Sequence, residues 1–228
     1  MPASPILLQS FYKQFMQPGD LVYDVGANIG NRTEVFLDLG AKVVAIEPQP
    51  NCVAKLRQKF EYNPQCAILQ LALGSREGMS TLNLTRTTTI ASMNAEWIAT
   101  VKKRRFKKYN WDEHIEVKTA TLDCLMRIYG TPTFIKIDVE GYEYEVLKGL
   151  SQPVKALSFE FVPEIIKIAT DCVAHLSSLG VYEFNWSQGE SMHFEFPEWL
   201  NAPKIKTLLI QTQGSSIFGD VYARQICK

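Results

Sequence analysis

One stretch limits what this chain can fold into more than any other: Asp20 to Glu47, DLVYDVGANIGNRTEVFLDLGAKVVAIE. Leu21 to Val25 is a short apolar run, Gly26 to Gly30 a tight turn, Thr33 to Leu39 an amphipathic helical segment, and Lys42 to Ile46 a second apolar run. Strand, glycine turn, helix and strand make a βαβ unit, which offers a nucleotide site where its strands end.

The turn's spacing narrows the nucleotide. A dinucleotide fingerprint needs G-x-G-x-x-G, so that the backbone can approach a pyrophosphate at a helix N-terminus. Here the residues are Asp24-Val25-Gly26-Ala27-Asn28-Ile29-Gly30, with an acid in place of the first glycine and Asn28 in place of a central one. A carboxylate facing that turn repels a pyrophosphate and suits an ammonium group, which argues against NAD. Glu47, at the end of the second strand, stands where an acid accepts hydrogen bonds from both ribose hydroxyls. An acid for an amine, an acid for a ribose and no pyrophosphate cradle describe S-adenosylmethionine. Ala27, Asn28 and Pro48 complete the expected contacts. The competing reading is a plain helix-entry turn with two solvated acids.

At 228 residues, 46% of them hydrophobic, the chain suits one well-buried domain. The expected organisation is an N-terminal helix, within residues 1–19, packed on a single domain of residues 20–228. With 24 basic and 24 acidic residues there is no global attraction to nucleic acid or membrane. The first twenty residues lack the basic start and apolar core of a signal peptide, and no apolar run is long enough to span a bilayer, so the expected location is the cytoplasm. Cys52, Cys66, Cys124, Cys172 and Cys227 are scattered and form no C-x-x-C pair; they read as reduced thiols, mostly in the core, and not as a metal set.

Helical spacing of Leu8, Phe11, Tyr12 and Phe15 predicts a helix over 5–17, placed to close over the cofactor. Pro50 opens a helix that Asn63-Pro64 stops, and Cys66 to Leu73 is a third apolar run. Residues 75–119 read as an insertion of two alternating strands, near 81–85 and 115–118, around a mobile loop, with no core of its own. A crossover helix capped by Thr121 follows. Buried strands at 133–137, 156–161, 181–186 and 220–224 alternate with helices at 141–149, 163–179 and 197–208. Seven sheet strands interleaved with helices predict a doubly wound α/β sandwich, open at the carboxyl ends of its strands.

DVGANIG at 24–30, IEPQP at 46–50, TLDCL at 121–125, FIKIDVEGYEYEVLKG at 134–149 and FGDVYA at 218–223 together resemble the FkbM-type methyltransferases. The resemblance spans most of residues 20–225, and KIDVEGYE is its most specific piece. It implies the class I, Rossmann-like methyltransferase architecture with an antiparallel last strand, an insertion before the fourth strand, S-adenosylmethionine as cofactor, and O-methylation of a sugar or natural-product hydroxyl. By motif match, Asp24, Gly26 and Gly30 take the methionine end and Glu47 the ribose. Since no acid or Asn follows the third strand, backbone groups of Ala72 and Leu73, or a side chain from the insertion, are left to meet the adenine.

Methyl transfer to an alcohol needs alignment and a place for one proton. Lys136, Asp138 and Glu140 leave the fourth strand at alternate positions, and would share one side if the extended backbone continued through Glu140. Glu160 ends the neighbouring strand. Asp138 is the first choice of base and a second cofactor contact; Glu140, Glu160 and Lys136 are the supporting candidates. A buried Lys136–acid pair, with Glu140 capping the next helix, is the structural alternative. A divalent cation on the acids is possible but not favoured, and no metal is assigned.

VKKRRFKKYNW at 101–111 interleaves six cations with aromatic rings. Lys102, Lys103, Arg104 and Arg105 are the candidate grips on an anionic acceptor, with Trp186 shaping the pocket; a solvated loop is the alternative. The expected partner is a small hydroxylated acceptor. An RNA methyltransferase using the basic run, or a non-catalytic S-adenosylmethionine-binding module, is the competing function. His114, His175 and His193 are not spaced as a metal set.

Overall fold

A computed structural model describes residues 3–226. In chain order the elements are α1 (Pro5–Tyr12), β1 (Leu21–Val25), α2 (Asn31–Asp38), β2 (Lys42–Ile46), α3 (Pro50–Phe60), β3 (Cys66–Leu69), β4 (Ala72–Leu73) and β5 (Gly78–Leu84). Then come α4 (Ala95–Val101), β6 (Glu113–Ala120), α5 (Leu122–Tyr129), β7 (Phe134–Ile137), α6 (Glu143–Lys148), β8 (Ala156–Phe161), α7 (Ile166–Leu179), β9 (Tyr182–Gln188), α8 (Ala202–Gln211) and β10 (Gly219–Gln225).

Seven strands form one sheet in the order β3-β2-β1-β7-β8-β10-β9. Pairs among β3, β2, β1, β7 and β8 are parallel, and β10 enters antiparallel between β8 and β9. Strand order reverses beside β1, so a crevice opens where β1 and β7 end. Because side chains alternate along each strand, the sheet has two differently covered faces. Tyr23, Val25, Ile135, Ile137, Leu157 and Phe159 pack with α5, α6, α7 and α8. Val22, Val43, Ala45, Phe134 and Ala156 pack with α1, α2 and α3.

Several expectations need correction. Helix α1 stops at Tyr12; its Phe11 meets Phe194 and, edge-on, Tyr222, and Phe15 beyond it stacks on Phe134 and Tyr222 under the sheet. It contributes no residue to the cofactor-sized cavity, because its apolar stripe has a sheet face to cover. The run 66–73 is two strands: β3 joins the main sheet, whereas β4 turns away to pair in parallel with β6. Pro163 opens a short 3-10 turn before α7 starts at Ile166, and α8 begins at Ala202 behind an Asn201 cap. Among the described cysteines, Cys52 and Cys172 are buried and Cys66 and Cys124 half-buried, all as thiols; Cys227 lies outside the described residues.

The insertion has small cores after all. β4, β6 and β5 form a three-stranded sheet over Ala72, Leu82 and Val117. Trp97 on α4 is fully buried with Ile90, Val101 and Val162, and its ring meets Phe106 and Trp111. Gly141, with φ of +86°, leaves room for that indole; a Cβ there would overlap it. Gly214 has a similar φ of +79° with nothing near its missing Cβ. Both alanine substitutions bear the left-handed cost of about 1–2 kcal/mol. Gly141→Ala should lose a further ~1–3 kcal/mol to overpacking, measured by urea unfolding of the two variants side by side.

Candidate functional site

The crevice at the end of β1 is a cavity of about 560 Å³. Its floor is the glycine turn. Gly26, with φ of +84°, sits so close to the Asp138 carbonyl that a Cβ would overlap it, which is why this position takes glycine. Asp24 is buried on the cavity wall and accepts a 2.6 Å hydrogen bond from the Thr33 hydroxyl. Burial raises its pKa; the Thr33 bond and the Lys136 and Arg32 charges oppose the rise. An arriving ammonium would favour the ionised form further.

Glu47 stands at the other end of the same wall, buried, its carboxylate accepting the Asn28 and Gln49 backbone N–H groups at 2.8 Å each. Burial raises its pKa and those two bonds pull it back. It therefore pins the turn and presents an acid to the cavity at once. Ala27, Asn28, Pro48, Ala72 and Leu73 line the cavity too, as does Leu71. Gly30 is not a lining residue; in left-handed backbone it caps α2, and a side chain there would strike Leu56 and Phe60.

The acids meet, though not by the route the spacing suggests. β7 ends at Ile137, and Glu140 has a left-handed φ of +53°, so the extended backbone does not persist. That turn swings Glu140 back, and one carboxylate oxygen from each of Asp138, Glu140 and Glu160 lies within 4.8 Å of the others. Burial first, then the charges of Asp138 and Glu143 on Glu140 and those of Glu140 and Asp138 on Glu160, raises both well above the usual carboxylate range. Asp138 differs: Lys136 Nζ donates to it at 3.2 Å. Lys136 itself is fully buried, and although burial opposes its charge, Asp138 and Asp220, the latter at 2.9 Å, raise its pKa. The expected buried Lys136–acid pair thus has two acids, Asp138 and also Asp220, which lies on antiparallel β10 opposite Glu160.

A second cavity, of about 860 Å³, adjoins the first through Glu140 and Glu160, which line both. Lys103, Arg104, Arg105 and Lys107 form its basic side. Arg105 is held over the Phe218 ring, 4.4 Å from its centroid, and by Glu164 at 3.3 Å. Two expected acceptor residues do not take part. Lys102 lines neither cavity, and Trp186 is buried against Phe161 and Phe196, because its position on β9 points it into the core. His175 bonds the Leu150 carbonyl at 3.0 Å, a structural role.

A family profile described as the FkbM methyltransferase domain matches residues 24–202. The chain belongs to the FkbM methyltransferase family. The hexuronic acid methyltransferase AglP of Haloferax volcanii is 28% identical over 144 residues, 63% of this chain and 55% of that protein. The dimethyladenosine transferase of Yarrowia lipolytica is 32% identical over 72 residues, 31% of this chain and 23% of that protein. The chain thus spans about half or less of the curated relatives it matches. Among solved structures, a precorrin-6y C5,15-methyltransferase from Geobacter metallireducens superposes with a TM-score of 0.51 at 10% identity, covering 97% of this chain and 88% of that one, a likeness of fold.

Sequence reasoning about this FkbM-family chain missed Glu143. Its Oε1 accepts the Val139 and Gly141 N–H groups at 3.1 and 3.2 Å, doing the capping expected of Glu140. Burial, opposed by those bonds, pushes its pKa up from 4.5 to about 7. The folded state therefore holds a proton that the unfolded chain releases, and this contribution is full below about pH 4.5 and lost as pH rises through about 7. Urea midpoints should fall over that window, and Glu143→Gln, which keeps the acceptor oxygen, should remove roughly 2–4 kcal/mol of the fall.

Proposed function

We propose that this chain transfers the methyl group of S-adenosylmethionine to a hydroxyl of a small, anionic, sugar-like acceptor. The observation that carries the reading is the acidic wall shared by the two cavities: one cavity has acids for an amine and a ribose at its ends, and the other has cations across from the same wall. Asp24 and Glu47 would hold S-adenosylmethionine in the first cavity, where it would supply the methyl group. The acceptor enters from the basic side.

The reaction forms one bond from the acceptor oxygen to the methyl carbon and breaks the sulfur–methyl bond. The electron pair returns to sulfur, leaving neutral S-adenosylhomocysteine, and the hydroxyl proton must go to the protein or water. Asp138 is the base in this reading, since its carboxylate lines the cofactor cavity and is held by the Lys136 ammonium at 3.2 Å. Glu140 and Glu160, raised in pKa, are suited to donate hydrogen bonds to the acceptor's other oxygens. Lys136 positions Asp138, and alignment supplies most of the remaining rate.

Arg105 and its basic neighbours favour an acceptor that carries a carboxylate or phosphate at the end away from the reacting hydroxyl. AglP, by its name, methylates a hexuronic acid, which has that arrangement of groups. A long polyanion such as RNA suits the second cavity less, because Glu140, Glu160 and Glu164 line it as well. The three clustered acids are also hard oxygen donors of the type that bind Mg²⁺. Direct proton transfer to Asp138 is the reading adopted, given its contact with Lys136.

Asp138→Asn should lower kcat by about 10²–10⁴-fold. Its affinity for S-adenosylhomocysteine, read by calorimetry, should stay within about threefold of wild type. Turnover is measured with labelled S-adenosylmethionine on a panel of uronic acids and matched neutral sugars. Unchanged kcat removes Asp138 as base; activity abolished by EDTA and restored by Mg²⁺ makes the acids metal ligands instead.

A further inference from the structure

The methionine end of S-adenosylmethionine bears a carboxylate as well as an ammonium, and Asp24 answers only the ammonium. The cations lining the first cavity are Arg32, Lys55 and Lys136. Lys136 is enclosed by Asp138 and Asp220. Lys55 is exposed on α3, the helix that follows the ribose acid. Arg32 lies in the first turn of α2, two residues past Gly30, and its charge acts on Asp24. It belongs to the amino-acid end of the cavity.

The guanidinium already holds a carboxylate. Its Nη2 donates to both oxygens of Glu190, at 2.8 and 2.6 Å, and Glu190 lines the same cavity from the turn after β9. Arg32 Nε is buried without a hydrogen-bond partner among the described residues. A guanidinium binds a carboxylate best through two parallel N–H groups, so the grip on Glu190 through one nitrogen leaves the better geometry unused. Exchanging one carboxylate for another keeps the half-buried cation neutralised, which makes the replacement electrostatically inexpensive.

We propose that Arg32 reads the α-carboxylate of the cofactor's methionine end and that Glu190 is an internal competitor which the cofactor displaces. The assignment rests on the S-adenosylmethionine reading above and adds a carboxylate-selecting residue to it. Discrimination then falls between ligands that share adenosine and amine and differ only in the carboxylate.

Calorimetry on the full chain compares S-adenosylhomocysteine with its decarboxylated analogue, which keeps the adenosine, the thioether and the amine. Wild type should prefer the carboxylate-bearing ligand by about 10- to 100-fold. Arg32→Met should shrink that preference to about threefold or less while leaving the analogue's affinity nearly unchanged. Glu190→Gln, with the guanidinium intact, should tighten S-adenosylhomocysteine by about 3- to 10-fold and leave the analogue alone. Equal wild-type affinity for the two ligands, or a preference that survives Arg32→Met, overturns the role of Arg32. Unchanged or weaker binding in Glu190→Gln overturns the competition. A wild-type chain that binds neither ligand overturns the cofactor reading itself, an outcome distinct from the other two. The wild-type comparison and Glu190→Gln decide the matter even if Arg32→Met fails to fold.

Discussion

A lysine ammonium inside a β-sheet is tolerable only if carboxylates come to it. Lys136 is fully buried in the central strand β7, and its Nζ is met by Asp138, just past the end of that strand, and by Asp220 from β10. Desolvating such an ion costs several kcal/mol, offset only while both acids are in place. This requirement disciplines the sheet. Asp220 reaches Lys136 because β10 runs antiparallel with Asp220 opposite Glu160, and a one-residue slip would turn it to the other face. In register, Asp24 lies beside Lys136, so Asp24 and Asp138 both stand next to one buried ammonium at the crevice.

Environment then sorts acids that look alike in sequence. Asp138 faces the ammonium, Glu140 and Glu160 face one another, and Glu143 is tied to backbone N–H groups. Four carboxyl groups of one chemical type therefore have different partners within a small volume, which an acid–base site can use. The basic side of the second cavity balances this wall without neutralising it, since Arg105 is partly committed to Glu164. The two cavities thus differ in charge but share their boundary.

The nucleotide unit was legible because its signals are local: continuous apolar runs for strands buried on both faces, and a turn whose glycines meet backbone or packed rings. The count of seven sheet strands followed from the same signals, whereas the family and the antiparallel last strand followed from the resemblance of motifs spread along the chain. What sequence did not disclose depends on distant partners or on single dihedral angles. Asp220 is 84 residues from Lys136. Glu143 takes the capping expected of Glu140 because left-handed backbone at Glu140 and Gly141 redirects the chain. Trp97 was overshadowed by the basic run beside it, so the insertion's small cores went unread. Trp186 carries an aromatic ring near a crevice by chain position, yet strand alternation sends it inward.

The brief pairing of Ala72–Leu73 with Thr119–Ala120 bears on how such a scaffold acquires new acceptors. It sets the departure and return points of the intervening segment side by side. Chain between two adjacent anchors can be lengthened at little entropic cost, about 0.6 kcal/mol per doubling. The basic boundary of the second cavity is thus a detachable flap in the engineering sense: one exchanged for another would redraw what that cavity admits while the sheet beneath keeps its shape.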